Sequence, residues 1–210
     1  MDYSERKKVA QSLVTEDKYP DALREYVLLF KEDPKDEECL NAILFLFGRI
    51  VDGNYDFEPT TSDEFVMRGV SKFYQGEFES SIEDYNQALL IEPDNDYAHK
   101  SKSFSLRFIG QSDEAIVELE VAISINPVGD YFDNLAELYD LLGETRLAFE
   151  NYQKAIIASP DDCRLWYNFG VHLMEKQDLN GALEKFDKAI ELWPLYDDAI
   201  HNKNWIIQNS

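Results

Sequence analysis

The feature that most constrains this chain is a spacing written five times: Ala, an aromatic or Leu four residues on, a small or apolar residue three further, then Pro after five more. It is carried by Ala22, Tyr26, Leu29 and Pro34; by Ala115, Leu119, Ala122 and Pro127; by Ala148, Tyr152, Ala155 and Pro160; and by Ala182, Phe186, Ala189 and Pro194. Ser81, Tyr85, Ala88 and Pro93 form the fifth copy, with Ser in the leading place. Steps of four and three set the first three positions on one face of an α-helix. Pro, with no N–H and a restricted preceding residue, ends that helix. A chain punctuated in this way folds as a stack of helices.

From Ser81 to Ala115 is 34 residues, to Ala148 a further 33 and to Ala182 a further 34, a period that belongs to helix–turn–helix repeats. Twelve residues before each leading position stands a small residue: Ala10, Gly69, Ser103, Ala136 or Gly170. Gly inside a helix costs roughly 1 kcal/mol relative to Ala, so small residues there imply a second helix approaching closely. Each unit is predicted to be a helical hairpin, with its close contact set by the two small positions.

These residues resemble the tetratricopeptide repeat. Trp166, Tyr167, Asn168, Phe169, Gly170, Leu173, Ala182, Phe186, Ala189 and Pro194 follow the family pattern W-x2-L-G-x2-Y through A-x3-F to P, and the unit from Phe132 follows it with Leu135, Ala136, Tyr139, Gly143, Ala148, Tyr152, Ala155 and Pro160. The resemblance spans 3–36 and 62–196 and implies an all-α fold, a right-handed superhelical solenoid of helix–turn–helix units with a C-terminal capping helix. The expected layout is a hairpin plus an irregular apolar helix and loop over 1–61, four units over 62–95, 96–128, 129–162 and 163–196, and a cap over 197–210. Trp205 is expected to anchor the cap, since solenoids cover their open ends.

The register breaks between Pro34 and Ser62. An apolar helix from Cys39 to Val51 precedes turn residues from Asp52 to Pro59, as if the second helix of a unit were missing. A helix apolar nearly all round must be covered, either by packing between the first unit and the repeats from Ser62 or, in part, by a partner or a homodimer contact through 39–51. Composition agrees with a repeat protein: 44% hydrophobic residues can fill a core distributed along a line. The N-terminus, MDYSERKKVAQSLV, lacks an export signal, and nowhere do 18 apolar residues run together, so no membrane association is expected. Cys39 and Cys163 are expected to be free thiols in a reducing cytoplasm.

Against 20 Lys and Arg stand 42 Asp and Glu, a net charge of −22 without a basic patch. That argues against nucleic acid as a partner and favours basic ones, although acidic bias also serves solubility. His99, His172 and His201 fall in different units without Cys nearby, so no metal site is expected. No phosphate-cradling loop or nucleophile elbow occurs, and acid pairs such as Glu118 and Glu120 or Asp161 and Asp162 suit solvated faces. Neither an enzyme nor a cofactor is expected.

In the tetratricopeptide family ligands usually lie on the face lined by the first helix of each unit. Residues one turn apart share that face: Val66, Val70 and Phe73 in the first full unit; Tyr97, Lys100, Phe104 and Arg107 in the next; Asp130, Asp133, Asn134, Glu137 and Asp140 in the third; Arg164, Tyr167 and Asn168, with Val171, in the fourth. Lys100, Asn134 and Arg164 match three places of the family's carboxylate clamp. Phe104 and Asn168 replace the other two, and the neighbouring acids would repel a carboxylate. The acids themselves form a stripe suited to Lys or Arg, with Phe104 and Tyr167 flanking it. The expected function is an adaptor or scaffold that binds a protein or peptide of basic and apolar character. The alternative is a dedicated chaperone that masks an apolar client segment through Val66, Val70, Phe73 and Phe104.

Overall fold

A computed structural model describes residues 2–33, 35–52 and 58–209, with the backbone alone for residues 50–52. Pro34 and most of the expected loop, residues 53–57, lie outside the described residues. Among the described residues the protein is all-α. In chain order the helices are α1 (Tyr3–Thr15), α2 (Tyr19–Glu32), α3 (Glu37–Asp52), α4 (Ser62–Tyr74), α5 (Phe78–Ile91) and α6 (Asp96–Phe108). They continue with α7 (Ser112–Ile125), α8 (Gly129–Leu141), α9 (Thr145–Ala158), α10 (Cys163–Glu175), α11 (Leu179–Leu192) and α12 (Asp197–Asn209). First helices of the repeats, α1, α4, α6, α8 and α10, have 13 residues each, and second helices, α2, α5, α7, α9 and α11, have 14. The chain divides into two compact units, residues 1–115 and 116–210, with the boundary inside α7.

In the first unit the repeat positions Ala22, Tyr26 and Leu29 are buried with Ala10 of α1. Gly69 shows why a small residue is needed: a Cβ there would sit 2.6 Å from the Tyr85 ring. The helices close on the pair formed by the small residue and the aromatic of the next helix, so the partner is Tyr85 and not the leading Ser81. Ser81 instead shares a 2.7 Å hydroxyl contact with Ser105 of α6. The α4–α5 hairpin is further tied by Asp84, buried, which accepts from the Arg68 guanidinium at 2.7 Å and pairs with Lys72 at 2.8 Å.

The apolar helix expected over 39–51 is α3, beginning two residues earlier at Glu37. Cys39, Ile43, Leu46 and Phe47 are buried in the core, and α3 packs against α2 and α4. It is thus covered within its own unit, with Phe45 left 55% exposed. Its start is held by Asp36, which accepts from Lys7 Nζ and the Tyr3 hydroxyl at 2.7 Å and from the Cys39 N–H at 3.0 Å. Those bonds, Lys7 foremost, hold the Asp36 carboxyl well below the usual range.

The second unit repeats the scheme. Ala136, Ala148, Tyr152, Phe169, Ala182, Phe186 and Ala189 form its core, and a Cβ on Gly170 would meet the Phe186 ring at 2.6 Å. Trp166 Nε1 donates to the Pro160 carbonyl at 2.8 Å, closing the turn that precedes α10. α12 covers the end of this core with Ala199 and Ile206, both buried. Trp205, expected as the anchor, is 51% exposed; a helix buries one stripe, and Ala199 and Ile206, seven residues apart, define it.

Each turn from a first to a second helix needs one residue in the left-handed region. Gly76, Gly110 and Gly143 supply it at φ 81°, 80° and 78°, but Asp17 and Gln177 adopt it at 57° and 65°.

Candidate partner-binding site

The first unit gathers a cluster of aromatic side chains that is partly exposed. Val66 and Val70, expected to line the groove, belong to the buried core, so of the three residues expected from α4 only Phe73 remains on the surface side, with the exposed Tyr74 edge-on to it at 5.7 Å. Their burial follows from the hairpin: at three and one residues from Gly69 they face the helices that close on it. Phe73 packs edge-on to Phe78 at 5.4 Å and to Phe108 at 5.3 Å between ring centres, and tilts against Phe104 at 6.5 Å. Phe78 and Phe108 stack at 4.8 Å, and Phe108 is 61% exposed. On the same helix, Lys100 Nζ lies over the rings of Tyr97 at 5.4 Å and Phe104 at 5.7 Å. Tyr97 also meets Phe30 edge-on at 6.1 Å, and Arg107 is half-buried. Phe108 was missed in the sequence, although it stands one helical turn beyond Phe104 and so continues the same face.

In the second unit the acids are not an open stripe. Asp133 is 5% exposed; its Oδ2 accepts from Asn168 Nδ2 at 2.8 Å and its Oδ1 is buried without a partner. Burial is the main force on its carboxyl, which is pushed up to about 7, with the Asn168 bond opposing and Glu137 and Asp130 adding to the rise. Asp140 takes the His172 Nδ1 at 2.6 Å and the Lys176 ammonium at 3.2 Å. Asp130 lies 4.0 Å from the Arg164 guanidinium, which also pairs with Asp162 at 2.8 Å. The side chain of Asn134 is half-buried, with Nδ2 buried and unpartnered. Tyr167 rests on Phe186 and Tyr196, at 5.8 and 5.0 Å between ring centres, and its hydroxyl accepts from Asn202 at 3.3 Å.

α8 and α10 are therefore joined by polar pairs spaced one repeat apart, Asp133 with Asn168 and Asp140 with His172. His172 is buried among Tyr152, Phe169 and Phe149. Glu137 is half-buried. Among the described residues no group of three or more His, Cys, Asp or Glu is arranged to hold a metal ion, and no helix is long and apolar enough to cross a membrane.

The family model of the tetratricopeptide repeat matches residues 65–95. Over 146 residues the chain is 27% identical to the mitochondrial import receptor subunit TOM70 of Homo sapiens, covering 65% of this chain and 24% of that protein. The chain spans about a quarter of the length of the curated relatives it matches. A thermophilic tetratricopeptide-repeat protein of Thermus thermophilus superposes with a TM-score of 0.63 at 16% identity, over 99% of this chain and 100% of that one. YrrB, described as a tetratricopeptide-repeat protein with an unusual peptide-binding site, gives 0.57 at 19% identity, over 97% and 92%. At these identities the solved structures speak for the fold. Proteins built from this repeat generally mediate protein–protein interaction, and the fold is typically that of a non-enzymatic scaffold. One repeat matches the family model, Gly69 with Tyr85 and Gly170 with Phe186 close two hairpins in the same way, and the fold is that of the tetratricopeptide-repeat solenoid.

Proposed function

We propose that the chain is an adaptor or scaffold whose first-helix faces hold a protein segment bearing apolar and basic side chains, and that it works without chemistry, as a preformed surface. The observation that carries this is the aromatic cluster of the first unit, where Phe73 packs against Phe78, Phe104 and Phe108, Phe78 stacks on Phe108, and Phe108 stays mostly exposed. Contiguous exposed apolar surface of this kind marks interaction sites, and aromatic side chains are the usual anchors in them. The net charge of −22 supplies the preference for Lys and Arg. The peptide-binding site described for YrrB is in keeping with this reading. In the second unit Asp130 and Asp140 contribute through their field, since both already have partners within the chain, and Asp133 is buried against Asn168.

The test is fluorescence anisotropy with two labelled peptides, one alternating Leu with Lys and one alternating Leu with Glu. The Leu–Lys peptide is expected to bind, with affinity falling as salt screens the field, and Phe108→Ser is expected to weaken it at least about fivefold. Equal binding of both peptides, or indifference to Phe108→Ser, would overturn the reading. The same aromatic cluster favours one second reading, a chaperone that masks an apolar client segment; binding of an uncharged Leu-rich peptide, unchanged by salt, would select it. A homodimer through α3 would have Phe45 as its anchor, and sedimentation of Phe45→Ser tests it. Residence in the cytoplasm goes with the same reading.

A further inference from the structure

At the far end of the second unit the C-terminus of α10 and the middle of α12 enclose an open pocket of about 340 Å³, lined by Met174, Glu175, Gln177, His201, Asn202 and Trp205. α12 has the length of a first helix, and Asn202 stands 34 residues after Asn168. The pocket thus continues the row of first-helix faces within this unit. Its walls combine four kinds of group. Trp205 presents a half-exposed indole, although a cap helix needs only Ala199 and Ile206 for its packing. Glu175 is exposed and forms no ion pair among the described residues, unlike Lys176 next to it, which is held by Asp140. Gln177 and Asn202 supply side-chain carbonyls, and Met174 an apolar floor.

We infer that this pocket is a subsite for an arginine side chain of a bound protein segment. The guanidinium plane would stack on the Trp205 ring, the strongest of the aromatic partners for a cation. Its N–H groups would donate to the Glu175 carboxylate and to the amide carbonyls of Gln177 and Asn202, a planar fork that an ammonium does not offer. Its methylene stem would lie along Met174. Arginine is the occupant chosen because one carboxylate beside one indole matches its two recognition surfaces, and because a chain of net charge −22 draws cations to it. The inference rests on the proposed binding of a basic segment and names where one of its side chains goes.

The experiment is a titration of the isotope-labelled full chain with the peptides acetyl-Gly-Arg-Gly-amide, its citrulline counterpart and its lysine counterpart, followed by NMR. Saturable shifts are expected at the Trp205 indole N–H and at Gln177 with the arginine peptide. Binding should be about fivefold weaker with citrulline, which keeps the shape and loses the charge, and weaker again by about tenfold in Glu175→Gln. Trp205→Ala should abolish the shift at Gln177. Equal binding of the citrulline peptide, or no effect of Glu175→Gln, would overturn the subsite, and equal binding of the lysine peptide would overturn its assignment to arginine. In parallel, Glu175→Gln is tested against a long peptide alternating Leu with Arg. Loss of arginine-peptide binding with the long peptide still bound at wild-type strength refutes the link to segment binding alone. Absence of long-peptide binding to the wild type refutes that reading and leaves the pocket to be judged on the short peptides.

Discussion

Gln177 takes a left-handed backbone at φ 65°, where a side chain crowds its own carbonyl and Gly does not. Replacing it by Gly is expected to stabilise the chain by about 1 kcal/mol, read as a rise in the urea midpoint at unchanged slope. Asp17 shares the conformation but accepts from the Tyr19 hydroxyl at 2.5 Å, so Asp17→Gly should gain less. Gly170→Ala runs the other way: the new methyl would meet the Phe186 ring at 2.6 Å, and a loss of about 1–3 kcal/mol is expected from overpacking. Asp133 makes stability depend on pH. Its carboxyl is pushed up to about 7 in the folded chain, against roughly 4 when unfolded. Between those values the unfolded chain has released the proton and the folded chain has not, so stability falls as pH rises from about 4 to about 7 and is level beyond either end. Asp133→Asn, which can still accept from Asn168, should remove that slope; equal pH profiles for the two proteins would show that the carboxyl is not held neutral.

Hairpins are where sequence and structure agree best, because their grammar is local. A leading small residue, an aromatic four later and a small residue twelve earlier state both helices and their contact, and Gly69 against Tyr85 is that contact. Burial of Val66 and Val70 was not legible from spacing alone, since a face shared along α4 does not say where that face ends and the core begins. Nor was the fate of the acids. Steps of three and four place Asp130, Asp133, Glu137 and Asp140 on one side of α8, yet the hydrogen-bond partners of Asp133 and Asp140 are Asn168 and His172, 35 and 32 residues away. The α4–α5 hairpin has its own such pin in Asp84. With the carboxylate buried and Arg68 and Lys72 both committed to it, Asp84→Ala should cost about 3 kcal/mol, measured by urea denaturation, and Ala at the exposed Glu83 should cost almost nothing.

At the scale of the whole molecule the excess of acids acts on everything at once. A net charge of −22 repels itself in the folded state, and salt relieves that repulsion. The melting temperature is therefore expected to rise from low ionic strength to about 0.15 M, and a falling one would mean that specific ion pairs outweigh the net field. The matched helix lengths have a consequence of a different kind. With first helices of 13 residues and second helices of 14, one residue added inside a helix turns everything after it by about 100° and unseats the aromatic from its small partner. Adding or removing a whole period of 34 restores every contact of this type. Such a protein changes length by duplication or loss of an entire hairpin, and the number of its first-helix faces changes in the same discrete steps.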